Sequence, residues 1–160
     1  MSRYFTLSLL LILCFACATK KTAIKQDSYQ KQAKELAQKY IITDGHVDLP
    51  FRLQVRNFRL EKEFLGIPIE TQDGDFDYVR AKKGGLDAPF MSIYIPASYQ
   101  EKGGAKEFAD TLIDMVSGIA AAHPDNFSVA ISPKEVEANL KKVIISLPMG
   151  KENVAPIEDK

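Results

Sequence analysis

The sequence predicts an α/β fold built from parallel strands joined by helical crossovers. Three observations carry this. Apolar residues switch between the two-residue period of strands and the 3.6-residue period of helices, the two kinds of segment alternate, and the connections are long enough for crossovers. Such a series grows into a doubly wound sheet or a barrel. The roughly three or four strands readable in 160 residues are too few to finish either.

Residues 1–17 read as an export signal rather than as part of the fold. Arg3 precedes an apolar run from Tyr4 to Ala18, too short to span the ~30 Å hydrocarbon layer of a membrane. Thr19-Lys20-Lys21-Thr22 ends it. The segment Leu13-Cys14-Phe15-Ala16-Cys17 resembles a bacterial lipoprotein signal, which implies acylation of Cys17 and a chain anchored in the cell envelope, periplasm-facing or at the surface. Ordinary cleavage within the small-x-small run Ala16-Cys17-Ala18 is the alternative. Residues 18–27 are expected to be a linker. Cys14 and Cys17 are the only cysteines, so the mature fold has neither an internal disulfide nor a thiolate metal site.

The fold itself is expected over residues 28–160. Asp27–Tyr40 reads as a helix whose Tyr29, Ala33, Leu36, Ala37 and Tyr40 recur at the spacing of one buried face. Ile41–Asp48 reads as a strand closed by Pro50, and residues 52–83 as a charged, turn-rich excursion with short helical pieces. Gly84-Gly85 precedes a buried strand over Ala88–Ile95, bounded by Pro96. Ala105–Ala120 is a helix with one apolar stripe of Phe108, Ala109, Leu112, Ile113, Val116, Ile119 and Ala120. Phe127–Ile131 is a short strand. Ser132-Pro133-Lys134-Glu135 combines a capping serine, a proline at the first helical position and a glutamate three after the cap, which starts a helix running to Lys141. Val143–Leu147 is the last expected strand, and residues 150–160 an irregular tail.

With 21 basic and 21 acidic side chains, the chain lacks the basic excess that phosphate backbones demand, which excludes nucleic acid as an expected partner. Its apolar share of 46% is that of an ordinary globular protein rather than a disordered one.

The chemistry concentrates at Asp44, His46 and Asp48. Two-residue spacing on a strand turns all three to one face, and Pro50 puts the strand's end just beyond Asp48, where barrel enzymes keep their sites. An imidazole and a carboxylate there can share one divalent cation. A hydrogen-bonded polar cluster at a strand end would look the same by spacing.

Four segments in order carry a resemblance. They are Thr43-Asp44-Gly45-His46-Val47-Asp48-Leu49-Pro50-Phe51-Arg52-Leu53, the stretch from Gly84 to Pro96, His123-Pro124-Asp125-Asn126-Phe127, and Ile145-Ser146-Leu147-Pro148-Met149-Gly150-Lys151-Glu152-Asn153. Together they are similar to the membrane (renal) dipeptidase family, zinc enzymes of the amidohydrolase-like barrel class. The resemblance implies a partial (β/α)8 TIM-type barrel comprising roughly the first three or four βα units. It further implies that His46 and Asp48 bind a first zinc ion and that Glu152 bridges two. The substrate class would be dipeptides; a homodimer is compatible with the full-length protein, though the sequence does not set the oligomeric state. Asp44 is not a ligand in that pattern and would orient a neighbour or be purely structural, while His123, by its own His-Pro turn, reads as a surface residue. In the family a glycine commonly follows the glutamate, whereas here Asn153-Val154 does, and a β-branched valine resists positive φ. The family's second metal needs two further histidines from later strands, while this chain has only His46 and His123. The chain alone is therefore expected to be an inactive portion of a dipeptidase. The alternatives are a non-catalytic surface lipoprotein and a metal-dependent amidohydrolase with another substrate.

Overall fold

A computed structural model describes residues 26–55, 69–72 and 74–153. The expected signal segment, Cys17 and the linker up to residue 25 lie outside the described residues, as does the tail beyond Asn153. Among the described residues no helix is long and apolar enough to cross a membrane.

Two units are distinguishable, with a boundary after Lys39. The described part of the first is helix α1, residues 26–39. The helix matches the expectation, but its apolar face does not: Tyr29 and Leu36 are exposed, as is Tyr40 just beyond it. Periodicity identifies a helix and the side it would bury; burial itself requires a partner surface.

The second unit alternates strands and helices. The order is β1 (Ile42–Val47), α2 (Leu49–Val55), α3 (Tyr78–Gly84), β2 (Leu86–Tyr94), α4 (Ser98–Lys102) and α5 (Ala105–Ala122), followed by β3 (Phe127–Val129), α6 (Pro133–Lys141), β4 (Ile145–Leu147) and β5 (Met149–Glu152). Every strand pairing is parallel: β1 with β2, β2 with β5, and β3 with β4. β4 and β5 are interrupted only at Pro148, whose carbonyl accepts a hydrogen bond from Met91 N at 2.8 Å. Proline cannot donate to a ladder, so the strand is broken in hydrogen bonding while its path beside β2 continues. The expectation of an irregular tail is thereby corrected for residues 150–152. Residues 149–152 form a strand because β2 supplies in-register partners, Met91 opposite Met149 and Tyr94 opposite Glu152.

Helix α6 starts where its cap signals put it. Ser132 is extended and its hydroxyl accepts from Glu135 N, Pro133 follows, and the helix ends at Lys141. The Glu135 carboxylate accepts from Ile131 N at 2.7 Å. Ile131 therefore belongs to the cap, not to the expected strand, and is exposed. Pro50 does not close β1 but sits in the first turn of α2, where a missing N–H costs nothing.

β2 is the spine of the core. Met91, Ile93 and Ile95 are fully buried and cluster with Leu112, Val116 and Ile119 of α5. Met115 joins this face, while Phe108 and Ile113 are only partly buried against it. Ser92 and Tyr94 alternate to the opposite face.

Asp77 caps α3 and is almost fully buried. Its carboxylate accepts from Arg80 N at 2.8 Å and pairs with Arg80 Nε at 2.5 Å. Burial alone would raise this carboxyl, but the hydrogen bonds from the Arg80 backbone and guanidinium, the Arg80 charge and a backbone hydrogen bond from Thr71 outweigh it. They hold the pKa below its ordinary value of 3.8. A lowered folded-state pKa stabilises the fold above pH 3.8, and that contribution is lost as pH falls through the lower value. Asp77→Asn is therefore expected to flatten the acid limb of the Tm-against-pH curve, measured by thermal melts. Acid limbs of equal slope for both proteins would contradict the assignment.

Candidate metal centre

Because β1, β2 and β5 are parallel, their C-terminal ends lie at one edge of the sheet. His46 is near the end of β1, Asp48 follows that strand, and Glu152 is the last residue of β5. His46 Nε2 lies 3.1 Å from Asp48 Oδ1 and 3.3 Å from Glu152 Oε2. One ligand atom from each residue falls within 4.8 Å of the others, and all three are exposed. The structure thus brings together the three residues singled out in the sequence.

Asp44 is not in that group. The register of β1 against β2 slips between Asp44 and Val47, which breaks the strict alternation that would align Asp44 with the other two. Its Oδ1 instead accepts a hydrogen bond from His46 N at 2.9 Å, so Asp44 steadies the backbone from which His46 projects. His123 is the C-cap of α5, half-buried, and its carbonyl accepts from Asn126 N and Phe127 N. It is likewise absent from the cluster.

The donor set fits a divalent cation. Ligands bonded to zinc at about 2.0–2.2 Å stand roughly 3.4 Å apart at tetrahedral angles, and the observed separations of 3.1 and 3.3 Å are close to this. With its proton on Nδ1, His46 turns the Nε2 lone pair into the space between two carboxylates. Two negative charges in one site oppose one another, and a divalent cation offsets both.

Sequence reasoning reaches Asn153 only as a departure from a glycine and gives Ser92 no role. Ser92 is buried and donates from Oγ to Glu152 Oε2 at 3.0 Å. Asn153 takes φ 76°, in the left-handed region, and its Nδ2 donates to Ile95 O at 3.0 Å. Asparagine tolerates this region better than other non-glycine residues, so the turn after Glu152 forms without glycine. A polar Ser92 flanked by Met91 and Ile93 in the middle of β2 was the available signal.

A series of aromatic contacts begins at the strand position opposite Glu152. Tyr94 stands opposite Glu152 in the sheet, and its ring meets Phe51 edge-on at 5.0 Å. Phe51 continues to Phe108 at 6.3 Å, which stacks on Tyr99 at 4.8 Å. A separate groove of about 450 Å3 is lined by residues including Ile41, Phe90, Ile131 and Met149, and by none of the clustered three.

Comparison with known proteins identifies the family and the fold. The family described as membrane dipeptidase (peptidase family M19) matches residues 30–160. Among solved structures, the dipeptidase AC, a metallopeptidase, is similar at 24% identity and TM-score 0.61 over 72% of this chain and 36% of its own. A metallopeptidase from Rhodobacter sphaeroides, bound to a phosphinate mimic of the dipeptide L-Ala-D-Ala, is similar at 21% identity and TM-score 0.60, over 72% of this chain and 39% of its own. The probable dipeptidase PvdM from Pseudomonas aeruginosa is similar at 17% identity and TM-score 0.61, over 81% and 32%. The chain therefore spans about a third of the length of these solved relatives, and its fold is the corresponding portion of a TIM-type barrel. No curated protein matches the sequence.

Proposed function

From the premise that the chain belongs to the membrane dipeptidase family (peptidase family M19), we propose that it contributes the first half of a zinc dipeptidase centre, with His46, Asp48 and Glu152 as ligands. The observation that carries this reading is the convergence of one imidazole and two carboxylates at the C-terminal edge of a parallel sheet. In barrel enzymes that edge is where reactions occur.

His46 offers Nε2, and Asp48 and Glu152 offer the negative charge that retains a divalent cation. Glu152, with two oxygens, is suited to serve two cations, the number expected of the complete site. When bound, such a cation supplies Lewis-acid polarisation of an amide carbonyl and acidification of water. Asp44 keeps the His46 backbone in place. Tyr94, opposite Glu152 in the sheet, and Phe51, edge-on against its ring, offer apolar surface suited to the side chain of a short peptide. The dipeptide mimic bound by the Rhodobacter sphaeroides metallopeptidase supports a dipeptide as the substrate class.

The reading is tested by dipeptide hydrolysis in the full-length gene product. Activity is expected to disappear with a chelator and to return on adding zinc. Turnover that survives complete metal removal would overturn the proposal.

A further inference from the structure

We propose that Ser92 is a positioning residue that holds the Glu152 carboxylate beside His46 before any cation arrives. This inference rests on the reading of His46, Asp48 and Glu152 as cation ligands.

Glu152 ends its strand with an exposed side chain, and an exposed glutamate ordinarily samples many rotamers. Here a hydrogen bond from β2 restricts the side chain, and further hydrogen bonds at Ile95 fix the backbone that carries it. Ser92 Oγ donates to Glu152 Oε2 at 3.0 Å, and that same oxygen is 3.3 Å from His46 Nε2. Below the carboxylate, Ile95 N donates to Glu152 O at 3.3 Å while Asn153 Nδ2 donates to Ile95 O at 3.0 Å. The anchor is itself rigid. β2 is paired on both sides, with β1 and β5, and Ser92 is only 4% exposed. Water therefore competes poorly for its hydroxyl. A ligand already held in place loses less freedom when the cation binds, so removing the hydroxyl weakens binding without removing a ligand.

The test is zinc titration of the full chain by calorimetry or chelator competition, with thermal melts to confirm folding. Ser92→Ala is expected to weaken zinc affinity about tenfold, as loss of a ligand's hydrogen-bond partner typically does. Ser92→Thr, which keeps the hydroxyl, recovers affinity. In a Glu152→Gln background, Ser92→Ala has a much smaller effect, because the residue it acts through is already altered. Wild-type affinity in Ser92→Ala overturns the inference, as does an equal loss in both backgrounds, which would mark a general structural effect. If the wild-type chain binds no zinc, the metal reading fails and takes this inference with it. Zinc binding insensitive to Ser92 removes the inference alone.

Discussion

Asp48→Asn is expected to lower dipeptide hydrolysis by the full-length gene product by several orders of magnitude and to strip bound zinc in parallel. The change keeps size and shape but removes one of the two charges beside His46. Without a firmly held cation, no group among the described residues of the site acidifies water near neutral pH. His46→Ala removes a nitrogen donor and should behave alike. Asp44→Asn is the informative control. An asparagine side-chain oxygen can still accept the hydrogen bond from His46 N, so activity should stay near wild type. Zinc content per chain, measured alongside turnover for all three variants, checks the set. An active, zinc-loaded Asp48→Asn protein would show that the cluster is structural.

The second large effect is on stability. Phe127 is 2% exposed, with its ring 5.6 Å from Tyr78 in a T-shaped contact and 6.5 Å from Phe76. Phe127 thus ties the start of β3 to the segment leading into α3. Truncation of such a buried ring removes its transfer free energy and leaves a cavity, and Phe127→Ala should cost about 3–5 kcal/mol. Phe127→Leu retains much of the volume and should cost clearly less. Urea denaturation of the three proteins measures the difference, and an unchanged midpoint for Phe127→Ala would contradict the assigned packing.

What was legible in the sequence followed local chemistry. α6 begins and ends as expected because Ser132, Pro133 and Glu135 are each within one turn of what they cap. α5 was legible from its stripe, and runs two residues further, to Ala122. What depended on distant partners was not legible. β5 reads as a tail because Pro148 and Gly150 are turn residues, and only hydrogen bonding to β2, about sixty residues earlier, makes it a strand. The apolar side of α1 was read as buried, yet Tyr29 and Leu36 are exposed. At the site, the spacing of His46 and Asp48 announced a shared position even though the strand slips between Asp44 and Val47. Glu152 became a candidate only through family resemblance, since nothing near it in sequence indicates a ligand. Ser92 and Asn153 act on partners 60 and 58 residues away, a separation that periodicity and capping rules do not reach.

Anomalous scattering at the zinc edge shows directly whether His46, Asp48 and Glu152 together hold a divalent cation. In crystals of the protein grown with zinc, a peak is expected about 2.0–2.2 Å from His46 Nε2 and from a carboxylate oxygen of both Asp48 and Glu152. Zinc found only elsewhere on the molecule, with His46 Nε2 still hydrogen-bonded to Asp48, would contradict it.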